Sequence, residues 1–232
     1  MSIFMQKKLG KSILITILIV FYSSLFAEEK KKNYKLESNV HAELIGIHEQ
    51  IEEGQNVKAL KKLKKLISSN NLKAYDSAVV YQTIGFAKSN IGEFEEAAES
   101  FIQALSIDAL PKDVTHELNY SAAQLLIHID KSKEGLEYLS KWFATETKTT
   151  GDAHILAATA YYNIKDYQQL ITHAEKALVL SSKPQLSWYE LLLAGYYEIN
   201  EYQKSATLLE TIIIKYPKKL NYWLQLAEIY QR

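Results

Sequence analysis

Phe94-Glu-Glu-Ala97-Ala-Glu-Ser-Phe101-Ile-Gln-Ala104 places an aromatic residue, then a small residue three positions on, ahead of apolar positions at helical spacing. The pattern returns in degraded form at Tyr167 and Tyr202. With its weaker copies included, the leading position steps from Asn56 to Phe94, Ser132, Tyr167 and Tyr202, by 38, 38, 35 and 35 residues. A period in this range marks stacked helical hairpins, because one such unit cannot bury its apolar face alone and must lay it on a neighbour. With 8 Gly and 3 Pro, and no alternating β-branched runs bounded by turn signals, strands have no home in this sequence. The expected fold is all-α, and the expected work of such an array is to hold another macromolecule.

The best-formed unit runs over about 77–110. Its first helix carries Tyr81, Ile84 and Gly85, its turn is Asn90-Ile-Gly92, and its second helix carries Phe94, Ala97, Phe101 and Ala104. Gly85 and Ala97 let the two helices approach closely while Tyr81, Ile84 and Phe101 fill the gaps around that contact. Pro111 then stops the unit. Large, small and aromatic residues at these offsets resemble the tetratricopeptide repeat. That resemblance implies a right-handed superhelical solenoid of about five hairpins plus one terminal helix, with units at about 40–72, 77–110, 116–146, 151–182 and 187–217 and a half unit at 220–232. Fidelity varies along the array: the first unit keeps Gly54, Ala59, Leu63 and Leu66, the third puts Gly135 where the second helix usually has Ala, and the fourth puts Leu170 at the usual small position. Glycine in a helix interior costs about 1 kcal/mol relative to Ala, so Gly135 trades propensity for close approach.

Several strings together resemble a narrower group, exported tetratricopeptide proteins associated with bacterial TonB energy-transduction systems. They are Lys141-Trp-Phe-Ala144, Ala160-Tyr-Tyr-Asn-Ile-Lys-Asp-Tyr167, Trp188-Tyr-Glu-Leu-Leu192 and Lys215-Tyr-Pro-Lys-Lys-Leu-Asn-Tyr-Trp-Leu-Gln-Leu226. The resemblance implies an accessory role beside TonB, ExbB and ExbD, and it implies a chain that is short at its carboxyl end. The last segment opens a sixth first helix, with Trp223, Leu226, Ala227 and Tyr230 at the expected offsets and no second helix after it. An apolar patch left open at the end of an array is a liability or an interface: either the chain is a truncated relative, or Trp223, Leu226 and Tyr230 meet a partner or a second copy.

Residues 1–27 have the layout of a secretory signal peptide: Lys7, Lys8 and Lys11, the apolar run Ile13 to Tyr22, then Ser23-Ser-Leu-Phe-Ala27 before Glu28-Glu-Lys-Lys-Lys32. The apolar run is shorter than the roughly 20 residues that span a bilayer, which favours cleavage and a periplasmic protein peripheral to the membrane over an uncleaved inner-membrane anchor. Residues 28–38, dense in Glu and Lys, read as a charged flexible leader, with the array at 39–232. Removing the signal takes three lysines and no acids, leaving 24 basic and 27 acidic side chains. That balance argues against nucleic acid as a partner. Lys58-Ala-Leu-Lys-Lys-Leu-Lys-Lys65 is a local basic run, but Leu60, Leu63 and Leu66 interleave it at helical spacing, as on the solvated face of an amphipathic helix. With no Cys, neither a disulfide framework nor a thiolate metal site is available.

In arrays of this family, first-helix residues that do not pack within the hairpin build the inner wall. Carried onto this sequence, those offsets give Gln82, Phe86 and Asn90, then Tyr120, Gln124 and Ile127, then Thr159, Tyr162 and Asn163, then Glu190, Tyr197 and Glu198. Ile127, Tyr162 and Tyr197 share one offset in successive units, and large side chains flanked by amides suit an extended peptide or a partner helix. The positions hold no Lys or Arg, which disfavours a carboxylate clamp, and Glu190 with Glu198 favours a basic segment. The six histidines lack a zinc spacing, and phosphate loop, nucleophile elbow and dinucleotide fingerprint are absent from the sequence, so no catalytic, cofactor or metal residue is expected. The leading expectation is a non-enzymatic adaptor for protein partners. The alternatives are a general scaffold for an envelope assembly, pilus or secretion complex, and an envelope enzyme whose site has no recognised motif.

Overall fold

The computed structural model describes residues 34–69 and 71–231. The expected signal at 1–27 and residues 28–33 of the expected leader lie outside them. The described residues form eleven helices and no strand: α1 (Ser38–Glu52), α2 (Asn56–Ile67), α3 (Ala74–Asn90), α4 (Phe94–Ser106), α5 (Lys112–His128), α6 (Ser132–Thr145), α7 (Gly151–Asn163), α8 (Tyr167–Leu180), α9 (Leu186–Glu198), α10 (Tyr202–Lys215) and α11 (Leu220–Tyr230). They fall into two compact units, one ending at Thr145 and one beginning at Glu146.

The five positions that set the sequence period are the first residues of α2, α4, α6, α8 and α10. Two residues ahead of each lies a left-handed backbone residue: Gly54, Gly92, Asp130, Lys165 and Asn200, with φ of 75°, 81°, 63°, 63° and 62°. At each turn the following N–H donates back to a carbonyl five residues earlier, as in Glu93 to Lys88 and Glu201 to Tyr196. This is the Schellman closure, which satisfies the last carbonyls of the first helix and reverses the chain into the second. One turn geometry, repeated five times, therefore produces the five hairpins.

In the first unit, Phe101 is fully buried and meets Phe86 edge-on, ring centroids 5.0 Å apart. A Cβ on Gly85 would sit 2.4 Å from the Phe101 ring, so the glycine is what admits that ring between α3 and α4. Gly135 does the same for Ile127: an added Cβ would lie 2.6 Å from its side chain. A separate cluster on α1 to α3 buries Val40, Leu44, Ile47, Ala59 and Leu63. There Lys58, Lys61, Lys62, Lys64 and Lys65 are all exposed, while Leu63 and Leu66 point inward. Pro111 is the residue preceding α5, and its carbonyl accepts from Thr115, so it starts a helix as well as ending the previous unit. The described part of the leader packs down: Leu36 joins the α1–α3 cluster and the Glu37 N–H donates to the buried Asp76 carboxylate at 3.1 Å.

In the second unit, α9, α10 and α11 share a core of Tyr189, Leu193, Leu209, Ile212, Tyr222 and Ile229. Leu170, at a position the repeat usually keeps small, is fully buried, and space for it comes from Gly195, whose Cβ would lie 2.5 Å from Leu170. Thr150 and Asp166 cap α7 and α8, accepting from Ala153 and Gln169.

Candidate functional site

The first helices of the hairpins, α1, α3, α5, α7 and α9, each bury one side against their neighbours and leave a stripe for solvent. In the first unit the structure divides the expected wall residues. Gln82 and Tyr120 are half-buried and Asn90 is exposed. Phe86, Gln124 and Ile127 are buried, with 5 to 7 % of their surface exposed. Phe86 spends its ring on Phe101 and Ile127 fills the space over Gly135, so both serve the hairpin interior. Asn90 donates to the Asn56 side chain at 3.2 Å, tying the end of α3 to the start of α2. Tyr120 lies 4.8 Å from the Trp142 ring, which also stacks on His116 at 5.4 Å.

In the second unit two of the expected residues, Tyr162 and Glu198, meet a common neighbour, Tyr167. Thr159 donates its hydroxyl to the Ile155 carbonyl, so its polar atom is occupied by its own helix. Tyr162 is half-buried with its ring 6.4 Å from Tyr167 at 63°. Burial, the neighbouring Glu198 carboxylate and a hydrogen bond to it raise the Tyr167 hydroxyl above its ordinary range. Tyr162, Tyr167 and Glu198 thus form one group built from α7, α8 and α9, with Asn163 exposed beside Tyr162 in the chain. Tyr167 was not among the expected wall residues. Its place as the leading aromatic of a second helix assigned it to packing, although the same position opens the helix directly after the wall residues of the turn.

Glu190 is half-buried and accepts from the Tyr222 hydroxyl at 2.5 Å. Burial first, then that bond and the charge of Glu190, hold the Tyr222 hydroxyl far above its ordinary range. Tyr197 is half-buried against the α9–α11 core. Of the expected terminal residues, Leu226 is buried in that core, whereas Trp223 and Tyr230 are 50 % and 64 % exposed. Tyr230 also donates to Glu210 at 2.6 Å.

A second polar cluster lies within the fourth hairpin. His154 and His173 face each other with their Nδ1 atoms 3.0 Å apart, His154 Nε2 meets the Thr149 hydroxyl at 3.2 Å, and the Tyr161 ring lies 5.4 Å from His173. Burial first, then His154 and Lys176, push the His173 imidazole down to about 4. Among the described residues no three His, Asp or Glu side chains converge as metal ligands, and no helix is long and apolar enough to cross a membrane.

Neither a protein-family model nor a curated protein matches the sequence. Solved structures do match the fold. Residues 41 to the end of MamA from Desulfovibrio magneticus superpose with a TM-score of 0.63 at 16 % identity, over 80 % of this chain and 99 % of that one. A tetratricopeptide repeat protein from Parabacteroides merdae gives 0.59 at 14 % identity, over 84 % and 73 %. YrrB, described as a TPR protein with an unusual peptide-binding site, gives 0.56 at 14 % identity, over 73 % and 82 %. The fold is all-α, built from helical hairpins of the tetratricopeptide type.

Proposed function

We propose that this chain is a non-enzymatic adaptor that holds another protein against the solvent-facing stripe of its first helices, and that it does so in the periplasm as an accessory to a TonB-type energy-transduction system. The observation that carries the holding role is the group Tyr162, Tyr167 and Glu198, with Asn163 next to Tyr162 and Tyr197 next to Glu198 in the chain. Two of these tyrosines keep solvent-reaching surface at the helix end instead of filling a core. Rings supply contact area at small entropic cost, and amide and carboxylate groups beside them can bond a partner backbone or side chain. The peptide-binding site named for YrrB agrees with this use of the fold. Support for the TonB association comes from the sequence strings alone, above all Lys215 to Leu226, and support for export from the layout of residues 1–27.

The test is an affinity pull-down of the chain after cross-linking in envelope extracts, comparing the natural protein with a Tyr162→Ala/Tyr197→Ala variant. Recovery of TonB, ExbB or ExbD by the natural protein and loss in the variant is the expected result. Recovery by both would keep the adaptor and move its interface, with Trp223 and Tyr230 next to be changed. A pilus, secretion or outer-membrane assembly component in their place would transfer the role to a general scaffold. Recovery of no protein would remove the adaptor reading.

A further inference from the structure

Charge is sorted between the two helices of the hairpins in the second unit. From Glu146 onward the chain has as many acidic as basic side chains, nine of each. Yet α7, α9 and α11 carry Asp152, Glu190, Glu198 and Glu228 and no Lys or Arg, while every lysine of the unit lies on α8, on α10 or in a turn. The sorting is not a by-product of an acidic unit, since the unit is balanced.

Helix stability does not account for it. Asp152 lies in the first turn of α7, where a carboxylate is favoured, but Glu198 is the last residue of α9, where the partial negative charge of the helix end opposes it. Among the described residues, neither Glu190 nor Glu198 is neutralised by a cation. Glu190 accepts from the Tyr222 hydroxyl at 2.5 Å, which leaves its negative charge in place and fixes where it points, and the exposed Glu198 carboxylate lies beside the Tyr167 hydroxyl. Tyr162 adds a second ring, 6.4 Å from that of Tyr167. A tyrosine face attracts ammonium and guanidinium groups, and a fixed carboxylate beside it adds to that attraction. The unit already uses this pairing elsewhere: Lys204 and Lys215 stand over the Tyr196 and Tyr189 rings at 5.7 and 5.1 Å.

The geometry points to a partner of one chemistry: a Lys- or Arg-bearing polypeptide segment whose cationic side chains seat against Tyr162, Tyr167 and Glu198, and against Glu190, on the first helices of the second unit. This deepens the adaptor reading and rests on it. An acidic segment is repelled from the same stripe, so the sorted charge also selects among partners.

The test is a panning of random dodecapeptides displayed on phage against the immobilised full chain, followed by affinity measurement with the enriched peptides. The expected result is enrichment of Lys- and Arg-rich sequences, whose affinity drops roughly tenfold or more in a Glu190→Gln/Glu198→Gln variant and falls with added salt. Glu198→Gln alone, which leaves the Glu190 to Tyr222 bond untouched, reproduces part of the loss and guards against a folding defect. A Glu96→Gln/Glu99→Gln variant, with the same change of charge on a second helix of the other unit, keeps the affinity. Enrichment of neutral or acidic peptides, or basic peptides that bind the Glu190→Gln/Glu198→Gln variant equally well, would overturn the cationic partner while leaving the adaptor reading standing. Enrichment of nothing would overturn it too, and the pull-down would then decide the adaptor reading separately.

Discussion

At the scale of single residues, the five left-handed turn positions differ in how well their side chains suit them. Gly54 and Gly92 adopt positive φ without a steric penalty, and Asp130 and Asn200 are short polar residues that tolerate it. Lys165, at φ 63°, has neither advantage. A left-handed L-residue costs about 1–2 kcal/mol, and part of that is returned as unfolded-chain entropy when glycine replaces it. Lys165→Gly should therefore stabilise the protein by about 0.5–1 kcal/mol, read as a higher urea midpoint at constant slope, with Asn200→Gly giving less. An unchanged or lower midpoint would mean that the Lys165 side chain makes a contribution the backbone argument omits. Gly92 was legible as a turn in the sequence, whereas Gly54 stood out only as a residue that its unit keeps. The equivalence of Asp130, Lys165 and Asn200 was not legible, because those residue types carry no such signal by themselves; the Ile just before four of the five turn positions, at 91, 129, 164 and 199, is the clue that could have aligned them. The His154 and His173 pair belongs to this scale as well. Its folded value is depressed, so the neutral ring is the stabilising form: the contribution is present above the ordinary value of 6.5 and is lost as pH falls toward about 4. Around His173 the facing groups are His154 and Lys176, both opposing protonation, and the neutral Tyr161 ring. The melting temperature should drop between pH 7 and pH 4.5, and His173→Gln should flatten that drop; an equal slope in the variant would remove the pair as its source.

At the scale of helices, packing volume is conserved between partners that sequence reading treats one at a time. Gly135 read as a costly stand-in for Ala, but Ile127 on α5 fills the place where that methyl would go. Leu170 read as an oversized residue at a small position, but Gly195 on α9 is the space it occupies. The helical hairpin pattern was legible because aromatic and small residues repeat along the chain. These compensations were not, since the two halves of each lie on different helices at no fixed spacing. Gly195→Ala should overpack against Leu170 and Ile171 by about 1–3 kcal/mol, outweighing the roughly 1 kcal/mol gained in helix propensity. Leu170→Ala alone should cost about 2–5 kcal/mol. In that background only the Ile171 contact still opposes Gly195→Ala, so its cost should shrink, and a double-mutant cycle should return a coupling outside additivity. Additive effects would show that the two sites relax independently. The wall is a different case. Its residues were placed by offset within a first helix, and offset alone cannot tell which of them point at the paired helix; hence Phe86 and Ile127 lie inside hairpins while Tyr162 and Glu198 meet Tyr167 across helices.

At the scale of the molecule, no disulfide holds the helices, since the sequence has no Cys, and within each unit the described helices are secured by packing against their chain neighbours. In such near-neighbour arrays, stability is close to a sum of local terms, so different parts of one chain open at different free energies. The division at residues 145 and 146 gives that general property a specific form. Leu209 is fully buried among Leu193, Ile212 and Tyr222, all of the second unit. Leu209→Ala leaves a cavity there worth about 2–5 kcal/mol. Native-state hydrogen exchange should then show the amides of α9, α10 and α11 losing protection by a comparable free energy, while those of α1 to α4 keep theirs. Uniform loss along the chain would mean that the two units unfold as one. The same measurement bears on function, because Tyr162, Tyr167, Glu190 and Glu198 are held in place by the unit that Leu209 stabilises. A partner that binds only their folded arrangement should restore the lost protection in proportion to its affinity, and should leave α1 to α4 unchanged.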